Sequence, residues 1–179
     1  MISLNESVLL VVDVQEKLFP LIKKKKKLIK NINILLKIFS QLKLPILISE
    51  QYPSGLGKTI QEIEINTKKI IKNEKTTFSC WKHLNFKHNL KRISKKQIIV
   101  CGLETHICVL QTCMDLANNS FEVFVSEDAI NSRSQKSHSL GIERMRSKGI
   151  NIINSEMVLF ELLEDSKHRD FKELSKLIR

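Results

Sequence analysis

Several features that define common protein classes are missing from the 179-residue chain. No apolar run approaches the roughly 20 residues that span a bilayer, which excludes an integral membrane helix protein. Residues 1–7 contain no basic segment ahead of an apolar one, so a secretory signal peptide is not expected. Aromatic residues make up only 6% of the chain, and none interleave with the lysine run at residues 23–27 as they do with basic residues in single-strand nucleic-acid binders.

Cysteine pairs at metal-binding spacing are also missing. The four cysteines, at positions 80, 101, 108 and 113, form no C-x-x-C pair and have no paired histidines at zinc-finger spacing. A chain of this length buries about 70% of its unfolded surface and needs neither a disulfide nor a structural metal to fold. The cysteines therefore predict reduced thiols in a cytoplasmic protein.

The charge is strongly basic in one half of the chain. The net charge is +11, and residues 1–100 carry 20 basic and 7 acidic side chains. Five consecutive lysines, residues 23–27, are flanked by apolar residues on both sides. This pattern predicts the solvent-facing side of an amphipathic helix. A binding surface for RNA or an anionic membrane is the alternative interpretation.

Apolar runs and helical patterns alternate along the chain. Buried strands are predicted at residues 8–12, 45–49, 70–72, 97–101, 121–125 and 150–153. Helices are predicted at residues 22–41, 84–92, 105–118 and 135–148, with further helical segments at the C-terminus. The order predicts a three-layer α/β/α fold, in which helices cover both faces of a parallel sheet.

Ligands of such open sheets lie beyond the carboxyl ends of the strands. The residues expected there are Asp13 with Gln15, Ser49 to Tyr52, Lys75, residues 102–108, and Asp128 to Arg133. Three of them carry groups suited to catalysis. Asp13 ends an apolar strand, where an acid is costly unless it is paired or functional. Lys75 follows the third strand, although a surface lysine is the alternative. Cys108 lies in the first turn of a helix, where the helix dipole stabilises a thiolate and lowers the thiol pKa. Core packing of Cys108 is the alternative, and Cys101 and Cys113 are predicted to be core residues.

Together, a carboxylate, an ammonium and a thiol at one sheet edge form an activated nucleophile. Backbone N–H groups at the start of the 105–118 helix are placed to form an oxyanion hole. This constellation suits acyl transfer from an amide.

Three motifs give the chain a resemblance to a known family. They are residues 11–15 (VVDVQ), 74–79 (EKTTFS) and 100–109 (VCGLETHICV), and residues 126–129 (SEDA) continue the pattern. They resemble the isochorismatase-like cysteine hydrolase superfamily, and in particular its small isochorismatase-domain hydrolases. The likeness extends from residue 7 to about residue 163, so we expect residues 1–179 to form one domain of this type with a C-terminal helix.

The resemblance has implications for fold and mechanism. It implies a six-stranded parallel sheet flanked by helices, and a catalytic triad of Asp13, Lys75 and Cys108. It further implies a cis peptide between Leu103 and Glu104, and an oxyanion hole made by the N–H groups of Glu104 and Cys108. Relatives commonly form dimers or larger oligomers, which implies a homo-oligomer here as well.

The sequence departs from two branches of that superfamily. Nicotinamidases bind a metal through an Asp-x-His element after the second strand, whereas residues 49–53 (SEQYP) contain no histidine here. We therefore expect no metal and no cofactor, and nicotinamide is a disfavoured substrate. True isochorismatases lack the nucleophilic cysteine, so the presence of Cys108 also disfavours cleavage of a vinyl ether.

Further residues are predicted to surround the substrate. They are Gln15, Phe19, Tyr52, Phe78, Trp81 and Thr105. For Phe19 and Phe78, core packing is an equal alternative. His106 is interpreted as a solvent-facing residue, with a substrate contact or a hydrogen bond at the helix entry as the alternative, and His138 is interpreted as a surface residue.

These inferences predict a cytoplasmic cysteine hydrolase that cleaves a small amide or related C–N bond through a thioester. The expected partners are a small-molecule substrate and other copies of the chain, without nucleic acid or membrane. Two hypotheses from other classes stand beside it. One is a non-enzymatic basic protein that binds RNA or an anionic surface, and the other is a thiol-reactive sensor.

Overall fold

The computed structural model describes residues 1–65 and 70–178, and its centre is a sheet of six parallel strands. The strands are β1 (Ser7–Val12), β2 (Ile46–Gln51), β3 (Ile70–Lys75), β4 (Gln97–Leu103), β5 (Glu122–Asn131) and β6 (Asn151–Ile153). Their order in the sheet is β3-β2-β1-β4-β5-β6, and every neighbouring pair is parallel. The chain thus winds outward from β1 in both directions, which places a topological switch point between β1 and β4.

Helices connect the strands. The α-helices are α1 (Lys25–Gln41), α2 (Pro53–Leu56), α3 (Leu84–Ile93), α4 (Leu110–Asn118), α5 (Gln135–Arg146), α6 (Ser155–Leu163) and α7 (Phe171–Leu174). Short 3-10 turns occur at Phe19–Leu21, Cys80–Lys82 and Ser175–Ile178, and one π-helical turn spans Thr105–Val109. Among the helices of the described residues, none combines the length and apolarity that crossing a membrane requires.

The central strands divide the core into two parts. All residues of β1 are buried, and alternate side chains point to opposite faces of the sheet. Leu9 and Val11 pack with α1 and α6 in one cluster, whereas Leu10 and Val12 pack with α3, α4 and α5 in the other. This arrangement confirms the predicted three-layer fold with helices on both faces of a parallel sheet.

The observed strands extend further at their carboxyl ends than the apolar pattern predicts. β3 continues to Lys75, β4 to Leu103 and β5 to Asn131. Backbone pairing continues there although the side chains become polar, as the pairing of Gln51 with Lys75 shows. The apolar pattern follows hydrophobic side chains only, so it stops where polar residues and Gly102 begin, although pairing and, in β2 and β4, burial continue.

Two predicted helices also begin differently. Helix α1 begins at Lys25, not at residue 22, because Lys24 has a left-handed backbone with φ of 55°. The segment predicted as one helix at 105–118 is a π-helical turn followed by α4. The π turn is a local widening of the helix, a feature that is frequent at functional sites.

Gly102 allows β4 to pass close to the end of β1. Its φ is +115°, a conformation that side chains disfavour, and a Cβ atom at this position would collide with the backbone of Val12. The glycine therefore brings the end of β4, and the turn that follows it, against the residue that precedes Asp13.

Candidate active site

Asp13 and Lys75 form a buried ion pair at the carboxyl edge of the sheet. Lys75 Nζ lies 2.6 Å from Asp13 Oδ2, and their side chains are 1% and 0% exposed. Ser49 Oγ donates a hydrogen bond of 2.7 Å to Asp13 Oδ1. Asp13 has a φ of 48°, in the left-handed region that only a few per cent of non-glycine residues adopt. Strained backbone of this kind clusters at functional sites.

Gln51 is a partner of Lys75 that the sequence places at the same edge of the sheet, although no role was predicted for it. Lys75 Nζ donates hydrogen bonds to Gln51 Oε1 at 2.8 Å and to the carbonyl oxygen of Phe78 at 3.2 Å. Gln51 in turn donates from Nε2 to the carbonyl oxygen of Thr76 at 2.7 Å. Polar residues at the buried end of β2 were the available signal, since the sequence Ser49-Glu50-Gln51 follows an apolar strand directly.

The ion pair keeps Lys75 charged. Burial is the largest single influence and would lower the pKa of Lys75, but the charge and hydrogen bond of Asp13, together with the two nearby thiols, outweigh it, and the pKa is raised above its ordinary value. Cys80 and Cys108 add smaller contributions in the same direction. The site therefore contains a permanent ammonium group next to the carboxylate.

Cys108 completes the cluster from the π turn after β4. It is 6% exposed, and the charges of both Asp13 and Lys75 act on its thiol. Burial raises the pKa of Cys108, the charge of Asp13 raises it further, and Lys75 lowers it only in part. The prediction of a lowered pKa from the helix position is therefore wrong. Burial and the charge of Asp13 raise the pKa more than Lys75 lowers it. The thiol is neutral at rest.

A second thiol lies in the same cluster. Cys80 is fully buried, and its N–H donates to Thr112 Oγ1 at 3.0 Å. Burial raises the pKa of Cys80 to about 11, although Lys75 opposes the shift. The sequence placed Cys80 in no clear environment, because its burial results from the packing of distant segments. Cys101 and Cys113 are buried core residues, as predicted.

The peptide bond between Leu103 and Glu104 is cis. Beyond it, the π turn is attached to the segment that follows β5. Glu104 Oε1 accepts a hydrogen bond of 3.2 Å from the N–H of Arg133 and lies 3.5 Å from its Nε. His106 Nδ1 lies 3.0 Å from Ser132 Oγ, so His106 makes a hydrogen bond at the entry to the helix and is only partly exposed.

His138 also differs from its predicted surface position. It is buried, and its Nδ1 lies 2.9 Å from Thr105 Oγ1. Thr105 is fully buried and faces α5; its contact with a substrate stays a prediction. The surface position predicted for His138 is wrong because α5 packs directly on the π turn. A Cβ atom at Gly141 would lie 3.1 Å from Thr105 Cγ2 and from His106 Cα.

Gln15 likewise supports the backbone. It is fully buried, its Oε1 accepts from the N–H of Gln51 at 2.7 Å, and its Nε2 donates to the carbonyl oxygens of Gln51 and Gly57. These bonds occupy most of the amide group, so Gln15 anchors the loop after β2 instead of presenting free groups to a substrate.

The four aromatic residues predicted to line the substrate pocket lie in different settings. Tyr52 and Phe78 are 56% and 54% exposed, next to the ends of β2 and β3. Phe19 packs partly against the core beneath Lys25 Nζ. Trp81 packs edge-on against Phe121, with ring centroids 5.4 Å apart. Tyr52 and Phe78 are thus accessible, whereas Phe19 and Trp81 are partly buried.

The residues around the cluster offer a neutral thiol, a carboxylate and a permanent cation. Over residues 1–65 and 70–178, no three side chains of His, Cys, Asp or Glu come together as a group that would hold a metal ion. The sheet topology and this cluster define a three-layer α/β protein with an acid–lysine–thiol site at the topological switch point.

Comparisons with known proteins identify the family. A family profile described as the isochorismatase domain matches residues 7–157. Isochorismatase family protein 1A of Dictyostelium discoideum is 36% identical over 183 residues, covering 98% of this chain and 87% of that protein. The chain therefore belongs to the isochorismatase family, which is a family of hydrolases.

Solved structures agree with this assignment. The structure of MAR1 ribonuclease from Caenorhabditis elegans has a TM-score of 0.91 and 34% identity, covering 99% of this chain and 91% of that chain. The YcaC gene product of Escherichia coli, an octameric hydrolase of unknown specificity, has a TM-score of 0.92 and 23% identity, covering 99% and 88%. At that identity the second likeness concerns the fold alone.

Proposed function

We propose that the protein is a cysteine hydrolase that cleaves a small amide or related C–N bond through a thioester. One observation carries the proposal: the buried ion pair of Asp13 and Lys75 lies close enough to the buried Cys108 thiol for both charges to act on it. A base in contact with a nucleophile, and itself oriented by a third group, is the arrangement of nucleophilic catalysis.

In the first step, Asp13 takes the proton of the Cys108 thiol while the sulfur attacks the carbonyl carbon of the substrate. Because the thiol is neutral at rest, proton transfer and attack occur together. The negative charge then moves to the carbonyl oxygen, where the backbone N–H groups of Glu104 and Cys108 stabilise it. Lys75 stays protonated and holds the carboxylate in place.

In the second step, the protonated Asp13 gives its proton to the leaving nitrogen, the C–N bond breaks, and a thioester remains on Cys108. A water molecule gives a proton to Asp13 and attacks the thioester carbonyl. The carboxylic acid leaves, and the proton returns from Asp13 to the sulfur. The cycle consumes one water per bond cleaved and needs no cofactor.

The test is a screen of small primary amides with the wild type and Cys108→Ala, with Cys113→Ala as the matched control for loss of a buried thiol. We expect Cys108→Ala to lose at least a thousandfold in activity and to keep a cooperative unfolding transition. Cys113→Ala should keep its activity. Intact-mass measurement should detect an acylated wild-type chain, with the adduct on Cys108. Hydrolysis that persists in Cys108→Ala would contradict the proposal.

The thiol-reactive sensor receives less support from the structure. A reactive sensor cysteine has a lowered pKa and is accessible to solvent. The thiol of Cys108 is buried, and burial raises its pKa. We therefore expect slow reaction with peroxide and no accumulation of stable oxidised forms.

A basic surface at the start of α1 supports a second candidate function, binding of RNA. Lys23, Lys24, Lys26 and Lys27 are exposed, and the C. elegans relative carries the name ribonuclease. Contacts to phosphates make the affinity fall steeply with salt. Replacing these four lysines by glutamine should flatten the salt dependence of RNA binding. An affinity that is weak in the wild type and unchanged in the variant would remove this candidate.

We also propose that the chain forms a homo-oligomer and works in the cytoplasm. Leu84 and Leu140 are exposed apolar side chains at 77% and 55%, and the E. coli YcaC relative is octameric. The four free cysteines suit a reducing compartment. Light scattering of the purified chain tests the first proposal, and a single monomeric mass would contradict it.

A further inference from the structure

A cavity separate from the acid–lysine–thiol cluster opens where β5 ends, next to the beginnings of α1 and α5. Its volume is about 360 Å³, within the range of sites for small molecules. Its lining includes Lys24, Lys27, Glu127 and His138. Among the described residues, Cys108 is not part of this lining. A ligand in this cavity would therefore not be in contact with the nucleophile.

Charges of both signs face the cavity. Lys24 and Lys27 come from the start of α1, and Glu127 and Asp128 come from β5. Among the described residues, no salt bridge involves any of the four. Asp128 Oδ1 accepts hydrogen bonds from Ser155, so this carboxylate is partly used within the protein. Within the described residues, Lys24, Lys27 and Glu127 have no ion-pair partner, so each can pair with a charged group of a ligand.

This lining favours a ligand that carries both charges. Two ammonium groups attract a carboxylate, and Glu127 attracts an ammonium group. A simple anion would be opposed by the carboxylates, and a simple cation by the lysines. The amide side chains of Asn131, Gln135 and Asn154 offer further hydrogen bonds. The chemistry therefore matches a small zwitterion, such as a free amino acid.

One wall of the cavity is connected to the nucleophile. His138 lines the cavity, and its Nδ1 lies 2.9 Å from Thr105 Oγ1. Thr105 is the first residue of the π turn that carries Cys108. Burial lowers the pKa of His138. The charge of Glu127 raises this pKa and the charge of Lys24 lowers it, so both residues of the cavity act on the imidazole ring. A change in the cavity thus reaches the π turn through two side chains.

We propose that the cavity is a second ligand site, which binds a small zwitterion such as a free amino acid and conveys its occupancy to Cys108 through the contact between His138 and Thr105. The proposal does not depend on the reaction at Cys108, because the thiol serves only as a chemical reporter.

Binding is tested by thermal unfolding of the full chain with a panel of free L-amino acids at 0.1–10 mM. We expect at least one to raise the midpoint in a concentration-dependent way. Its N-acetyl and amide derivatives, which lack one charge, should bind at least tenfold more weakly. The Lys24→Gln/Lys27→Gln variant and Glu127→Gln should each weaken binding tenfold or more. Lys148→Gln, an exposed lysine outside the cavity, should have no effect.

Three results would overturn the binding proposal. The first is that no amino acid binds at 10 mM. The second is that inorganic phosphate or a simple diamine binds as well as the amino acid does. The third comes from a catalytic variant. The Cys108→Ala variant separates this site from the catalytic one, since we expect it to bind the amino acid with unchanged affinity. Loss of binding in that variant would mean that the ligand occupies the catalytic site, and would also overturn the proposal.

Coupling is tested by the rate at which iodoacetamide alkylates Cys108, measured by mass spectrometry. We expect saturating amino acid to change this rate at least threefold in the wild type and not in Thr105→Val, which keeps the shape but loses the hydroxyl. Thr105→Ser, which keeps the hydroxyl, should retain the response. A response that survives in Thr105→Val, or that is absent from the wild type, would overturn the coupling.

Discussion

Lys75 Nζ and Asp13 Oδ2 lie 2.6 Å apart, in an ion pair whose two side chains are almost completely buried. The pair joins the ends of two strands that are separated by β2. Burial of two charges is costly, and it persists only where each charge compensates the other and further hydrogen bonds satisfy the remaining groups. Ser49 and Gln51 supply these bonds.

Removing one member of this pair should be more damaging than removing both. Lys75→Met leaves the Asp13 carboxylate buried without its partner, which should cost about 3–5 kcal/mol of unfolding free energy. Asp13→Asn/Lys75→Met removes both charges and should recover at least half of that loss. Asparagine is the suitable replacement because it tolerates the left-handed backbone at this position. Urea denaturation at pH 7 measures each value, and additive losses in the double variant would contradict the pairing.

Stability should fall steeply in alkaline solution because the folded protein holds its thiols neutral. Burial raises the pKa of Cys80, Cys101, Cys108 and Cys113 above the ordinary value. A raised pKa gives stability that is complete below the unfolded pKa of about 8.5 and is lost as the pH rises towards the folded pKa. Above the unfolded thiol pKa, each thiol should therefore lower the free energy of unfolding by about 1.4 kcal/mol per pH unit.

Lys75 acts in the same direction but only at higher pH. Its pKa is also raised, so its contribution is complete below the unfolded pKa of about 10.4 and is lost above the folded value. Urea titrations between pH 7 and pH 10 therefore report mainly the thiols. The Cys101→Val variant should release one proton fewer on unfolding, so the free energy of unfolding should fall less steeply with pH than in the wild type. A stability that is flat between pH 8.5 and pH 10 would show that the thiols are accessible to solvent.

Gly102 should tolerate no side chain. Gly102→Ala adds a methyl group that collides with the Val12 backbone, in addition to the strain of a φ of +115°. Gly149→Ala is the matched control, because Gly149 also has a positive φ of +75° but has no atom within 4 Å of the added Cβ. We expect Gly149→Ala to lower the free energy of unfolding by about 1–2 kcal/mol and Gly102→Ala to lower it several times more. Equal losses in thermal unfolding would show that β1 and β4 do not pass this closely.

Strand ends allowed the catalytic candidates to be predicted from the sequence. Asp13 follows a continuous apolar run, and parallel strands bring their carboxyl ends to one edge, so Asp13, Lys75 and Cys108 were expected together. The family resemblance of their motifs strengthened this expectation. The fold was predictable for the same reason, since apolar runs alternate with helical patterns along the chain.

Contacts between distant segments were not predictable. His138 has the polar sequence surroundings of a surface residue, but it is buried because α5 packs on the π turn. Ser49 and Gln51 follow an apolar run, which places them at the sheet edge, but their hydrogen bonds to Asp13 and Lys75 depend on contacts between different strands. The lowered pKa expected for Cys108 depended on its position in a helix, whereas the burial that raises it depends on the whole fold.

The proposed reaction depends on a neutral Cys108 thiol whose pKa the nearby Asp13 carboxylate raises. The direct test is the pH dependence of Cys108 alkylation by iodoacetamide, followed by mass spectrometry, in the wild type and Asp13→Asn. We predict a midpoint above the value of about 8.5 for a free thiol in the wild type. A lower midpoint is predicted in Asp13→Asn, because the charge that raises the pKa is gone. A wild-type midpoint below that of a free thiol, unchanged in Asp13→Asn, would contradict the claim.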